Sequence, residues 1–128
     1  MSNTPIKTIY TYHFEKLDIW QLSVDMSVEI YKITKYFPSE EKFGIISQIR
    51  RASNSVSANI AEGMSRSSSK DKARFIQIAY GSAIEVLSHL ILANRLEFID
   101  DHSLDKVRIN IMELTNKINA FHKSILKN

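Results

Sequence analysis

SQIRRASNSVSANIAEG, residues 47–63, reads as a helix with an unusual second face. Ile49, Ala52, Val56 and Ile60 recur at three- and four-residue spacing, continuing a stripe begun by Ile45 and Ile46. That spacing places them on one side of an α-helix. The other side carries Ser, Asn, Ala and the adjacent Arg50 and Arg51, where a solvated face would carry Glu and Lys. A face of this kind either meets another backbone closely or presents its arginines to a partner.

Working outward, the helix is expected to start after Ser39 as N-cap, with Glu40 and Glu41 in the first turn. It is expected to end at Gly63, the residue type that most easily takes a left-handed cap. MSRSSSK (64–70) reads as a polar loop, with Ser69 capping a long third helix over about Lys70 to Glu97. Gly81 and Ser82 in that helix are read as marking a close crossing. Upstream, a first helix is predicted from Leu17 to Tyr36, stopping before Pro38. It has two apolar ridges, one of Trp20, Val24, Val28 and Tyr31, the other of Ile19, Met26, Ile30, Ile33 and Phe37. Together they cover more circumference than one core can use, so one ridge is expected to face a neighbouring subunit. A single, generously buried core helix is the alternative.

A fourth helix after Asp101 or Ser103 carries Leu104, Val107, Ile111, Leu114, Ile118, Phe121 and Ile125 in a narrow 3,4-spaced seam. It should be the most solvent-exposed of the four. Residues 1–16 read as an extended arm in which Tyr10, Tyr12 and Phe14 alternate with polar residues. The prediction is a single all-α domain, an up-down-up-down antiparallel four-helix bundle over residues 17–128 with the arm before it.

Composition narrows the function. With 128 residues, three glycines, two prolines and no cysteine, the chain favours long helices. It has no disulfide, thiolate metal site or cysteine nucleophile. No apolar run approaches the roughly 18 residues of a membrane span, and the N-terminus lacks a secretory h-region, so a cytoplasmic protein is expected. The total charge is +3, but residues 50–74 alone hold Arg50, Arg51, Arg66, Lys70, Lys72 and Arg74 against Glu62 and Asp71. That segment is a candidate polyanion footprint or a solvated charged turn.

No catalytic constellation emerges, and no cofactor, metal or small-molecule substrate is expected. The four histidines are scattered, and no Glu-x-x-His occurs. Glu85 and His89, four apart, read as an intrahelical polar pair. Glu62, in the last turn of its helix, needs a cationic partner against the dipole, with Arg66 and Arg74 the nearest in sequence. Asn59 and Glu62, with Asn54 nearby, are read as a polar tie locking the helix end to the loop in preference to a catalytic acid, Glu62 lowering the melting temperature on removal if buried. Arg50 flanks the apolar stripe and can snorkel; Arg51 points away from it and is the better candidate for a phosphate or protein partner.

Three stretches carry a family resemblance: FEKLDIWQLSVDMSVEIYKITKYFP, SQIRRASNSVSANIAEGMSR and FIQIAYGSAIEVLSHLILANRL. They resemble the four-helix-bundle proteins encoded within intervening sequences of bacterial 23S rRNA genes, over about residues 13–100. That family is similar in fold to the accessory variability determinant proteins of diversity-generating retroelements, which are basic, pentameric and bind nucleic acid and a reverse transcriptase. The resemblance implies a small cytoplasmic bacterial protein, a bundle fold and a ring-shaped homo-oligomer, with five copies as the natural number. It does not imply an enzyme. Carried onto this chain, its motif residues are Arg50 and Arg51, with Asn59, Glu62 and Gly63 at the helix end.

Two functions follow as expectations. In the first, an oligomeric bundle contacts RNA or DNA phosphates without sequence preference, through Arg50, Arg51, Arg66, Lys70, Lys72 and Arg74. In the second, the chain is a structural or protein-interaction oligomer with no nucleic-acid role. In either, Trp20, Val24, Val28 and Tyr31, with Tyr10 and Tyr12 of the arm, are the expected oligomer interface.

Overall fold

A computed structural model describes residue 3 and residues 8–127. Four helices make up the domain: α1 (Asp18–Thr34), α2 (Ile45–Met64), α3 (Ser69–Arg95) and α4 (Asp101–Leu126). Each packs on its neighbour in chain order, and α4 returns to α1, so the order around the bundle is α1, α2, α3, α4. Polar ties between α1 and α4 show them antiparallel: Lys117 Nζ donates to Asp18 Oδ2 at 2.7 Å and Asn110 Nδ2 to Glu29 Oε1 at 3.2 Å.

The core follows the sequence stripes. Ile30, Ile49, Ile60, Ile76, Leu90 and Ile118 are fully buried, each excluding its side chain from water for about 1.5–3 kcal/mol. In α1 the ridge of Ile19, Met26 and Ile30 turns into this core. Ser23 and Thr34 accompany it, each returning its hydroxyl proton to the carbonyl four residues back, Ile19 O and Ile30 O, at 2.6 and 2.8 Å. α4 buries its 3,4-spaced seam and leaves its other sides open.

Several boundaries differ from the sequence reading. Ser39 does not cap α2: Ser39–Glu41 forms a separate 3-10 turn, and Gly44, at ψ −117°, breaks the helical path before Ile45. Phe43 in that connection is 88% exposed. Gly63 takes no left-handed cap and lies inside α2 with helical φ. Its role is proximity, because a Cβ there would stand 2.9 Å from Phe75 Cβ and 3.4 Å from Lys72 O. Gly81, by contrast, marks no crossing, with nothing within 4 Å of where its Cβ would be. The close contact is one residue on, where the Ser82 and Ser55 hydroxyls meet at 2.9 Å. Ser68 rather than Ser69 caps α3, its Oγ accepting from Asp71 N–H at 3.1 Å.

Asp100 caps α4, Oδ1 accepting from Ser103 N–H at 2.7 Å. That bond holds the Asp100 carboxyl below its ordinary pKa. Between α3 and α4 the left-handed position falls on Glu97, at φ 65°. Glu97 N–H reaches Asn94 O and Phe98 N–H reaches Ala93 O, the paired bonds of a Schellman ending.

Two further expectations need correction. The arm is not extended throughout, since His13–Lys16 forms a 3-10 turn, closed by Tyr12 N–H donating to Glu15 Oε2 at 2.7 Å. Most of residues 1–7 lie outside the described residues. By length and composition α3 is long and apolar enough to cross a membrane, with mean hydropathy 1.5 over its best window. Its alanines, isoleucines and leucines raise that average although charges interrupt the run. In the bundle Ile76, Ala79, Ala83, Val86 and Leu90 form a core wall between α2 and α4, while Ile78, Ile84 and Leu92 stay exposed.

Candidate functional site

The second ridge of α1 lies outside the core. Val28 is 49% and Tyr31 41% exposed, and Val24 is half-buried. Trp20, at the other end of the ridge, packs partly on the core and meets Phe14 edge-on at 5.1 Å. Tyr12 lies 6.1 Å from Phe14, and Tyr10 4.9 Å from Tyr12. Both tyrosines stand mostly in solvent rather than flat on the bundle.

Between this ridge and α2 runs an open trough of about 690 Å³. Val24, Val28 and Tyr31 form one wall, and Arg50, Asn54 and Ser57 of α2 the other. Ser27 lies in its floor, where small side chains let the two helices approach, Ser27 Oγ donating to Ser53 O at 3.1 Å. The unusual face of residues 47–63 thus does two things: Ser53 and Ser55 seat neighbouring helices, while Asn54 and Ser57 line the trough.

Arg50 is the organising side chain. Its Nε donates to Thr34 Oγ1 at 2.9 Å and an Nη to Tyr31 O at 3.4 Å. Its guanidinium lies 4.5 Å from the Tyr31 ring centroid, and Asn54 Nδ2 donates to the Tyr31 hydroxyl at 2.8 Å. Arg50 pairs with no carboxylate among the described residues. Lys32 and Lys35 line the same end of the trough, and no Asp or Glu does. The acids of α1 lie on its other side, where Asp25 and Glu29 share a cleft with Asn110 and Glu113 of α4.

The six cations named from the sequence do not form one patch. Arg50 and Arg51 lie in the first half of α2, about 20 Å by helical rise from its far end. Arg66, Lys70, Lys72 and Arg74 surround the α2–α3 turn. Arg51, preferred on sequence grounds over Arg50, is tied to Glu85 at 2.6 Å. Arg66 pairs with Glu62 at 2.6 Å, and Arg74 stands 3.7 Å from Asp71. Both guanidiniums also lie over the Phe75 ring, at 4.6 and 4.7 Å. Lys72 Nζ reaches Met64 O at 3.3 Å, and Lys70 is exposed.

The polar tie resolves into two separate contacts. Glu62 joins the helix end to the loop through Arg66, but its side chain is 52% exposed rather than buried, so its removal should cost little. Asn59 does not share that contact, since its Nδ2 donates to Ser55 O and Ser55 Oγ at 2.8 and 3.0 Å. Glu85 and His89 meet at 3.2 Å as an intrahelical pair. Among the described residues no three His, Cys, Asp or Glu side chains gather to hold a metal ion.

The model of the 23S rRNA-intervening sequence protein family matches residues 15–120. The chain belongs to that family. Its match extends through most of α4, beyond the stretch whose residues carried the resemblance. Among solved structures, this intervening-sequence protein is similar to a protein of unknown function from the S23 ribosomal protein family of Bacteroides thetaiotaomicron, a crystal structure at 1.70 Å. The two are 26% identical with a TM-score of 0.76, over 82% of this chain and 98% of the other. No curated protein matches the chain.

Sequence reasoning missed the trough. Arg50 was placed beside the stripe correctly, but its stack on Tyr31 depends on how α1 and α2 are spaced, which no residue pattern states.

Proposed function

We propose that this intervening-sequence protein is a non-enzymatic assembly component: a cytoplasmic bundle that forms a homo-oligomer through the α1–α2 face. The observation that carries this reading is the ridge of Val24, Val28 and Tyr31, uncovered by the bundle's own helices. Apolar and aromatic side chains gathered along one helix face beside an open trough, rather than scattered singly, are what support this reading. Five copies is the number suggested by the related retroelement bundles. Substituting Val28→Arg, at an exposed position, should reduce the sedimenting mass to that of one chain while leaving helical content unchanged. An oligomer of undiminished mass would remove this face from assembly.

A second reading, a ribonucleoprotein accessory, is favoured by Lys70 and Lys72. Both stand at the α2–α3 turn and lack a carboxylate partner among the described residues. Repeated on each copy of an oligomer, they would present a basic band to RNA or DNA phosphates. Arg51, Arg66 and Arg74, already paired with acids, would add less. Retention of single-stranded RNA at low salt should fall steeply as salt rises. It should be lost in Lys70→Glu/Lys72→Glu and survive in Arg51→Glu. No retention by the wild type at low salt would leave the purely structural oligomer.

A further inference from the structure

We infer that the trough between α1 and α2 receives the outer ridge of α4 from a second copy of this chain, so that copies join head to tail. This rests on the assembly reading above and names the surface that completes it. On α4, Ile109 is 60% and Met112 58% exposed, and Asp105 and Asn116 are exposed in line with them. These four occupy one strip of the helix at spacings of four, three and four residues. The trough's ridge has the same spacing read in reverse: Lys35, Tyr31, Val28, Val24.

Laid together in that register, Asp105 falls on Lys35, Ile109 on Tyr31, Met112 on Val28 and Asn116 beside Val24. The charges decide the direction. The trough carries Lys32, Lys35 and Arg50 at one end and no carboxylate; the α4 strip begins with Asp105, with Asp101 one turn before it. Arg108 borders the same hollow as Asp105, Ile109 and Met112, so the direction rests on Asp101 and Asp105 at the end that meets Lys32 and Lys35, with Arg108 left at the edge facing solvent. The Arg50 guanidinium is already fixed by Thr34 and Tyr31, so little side-chain entropy is lost when a carboxylate arrives.

This register runs the visiting α4 antiparallel to α1, the sense in which the chain's own α4 already runs beside α1. Joined bundles would therefore keep their long axes aligned. Because trough and ridge are different surfaces, the contact is heterologous, and successive copies close into a ring when the rotation between them divides a full turn.

Mixing two variants tests the pairing. Val28→Arg blocks the trough, and Ile109→Arg blocks the ridge. Each alone should sediment as a monomer of 14.7 kDa, and an equimolar mixture should give a species of twice that mass and nothing larger, since one intact contact remains. A mixture that stays monomeric, or an Ile109→Arg protein that assembles like the wild type, would overturn the pairing while leaving assembly itself intact. A monomeric wild type would instead overturn the assembly reading. Should either arginine variant fail to fold, the exposed charge pair serves. Lys35→Glu and Asp105→Lys should each weaken assembly and together restore it, and absence of restoration would count against the register.

Discussion

Two glycines of opposite meaning show how much a single residue type conceals. Gly63 is buried where α2 meets α3 and has no room for a methyl group; Gly81 is exposed on α3 with open space before it. Gly63→Ala should destabilise the fold by about 1–3 kcal/mol, because Phe75 and the α3 backbone would have to give way. Gly81→Ala should stabilise it by about 0.5–1 kcal/mol, by relieving helical entropy cost alone. Urea denaturation of both variants checks the pair. Equal effects would mean that the α2–α3 approach is looser than the geometry shows. From sequence the two look alike, one at a helix end and one beside a serine; the first is a packing residue rather than a cap, and at the second the close contact belongs to Ser82 alone. A glycine demanded by a neighbouring helix is distinguishable from a cap only when the neighbour's distance is known.

The helices themselves were legible because their signals are periodic and repeated. The α4 seam from Leu104 to Ile125 is buried as its spacing requires, with Phe121 partly so. Of the two α1 ridges, Ile19, Met26, Ile30 and Phe37 turn into the core, while Val28 and Tyr31 stay exposed and Trp20 packs partly on the core. What failed were the ends, where one residue decides: Ser39 against Gly44, Ser69 against Ser68, Gly63 against Met64. Serine-rich stretches offer several caps of equal chemistry, and the winner depends on where the helix must point. At α4 the cap carries a pH signature. The Asp100 carboxyl is held below its ordinary value by the bond from Ser103 N–H. A depressed folded-state pKa contributes stability above the unfolded value, and that stability is lost as pH falls through the folded one. Wild type should therefore lose more stability than Asp100→Asn between about pH 5 and about pH 2, read as the shift in urea midpoint. Parallel losses would mean that the Asp100 charge adds nothing to the cap.

At the scale of the whole molecule, the placement of charge decides the reading. The sequence surplus in residues 50–74 suggested one basic footprint, but folding splits it. Arg51, Arg66 and Arg74 find acids within the chain. Lys70 and Lys72 remain at one turn, and Arg50 joins Lys32 and Lys35 in the trough. Pairings between residues 34 apart, such as Arg51 with Glu85, are invisible to local charge counting. The bundle that results hides one ridge of its first helix and leaves most of the other uncovered, the surface we propose meets another copy of the same chain. Sedimentation equilibrium of the wild-type protein across micromolar concentrations tests this most directly. A single associated species several times the 14.7 kDa chain mass is the expected result, and a mass of one chain throughout would contradict it.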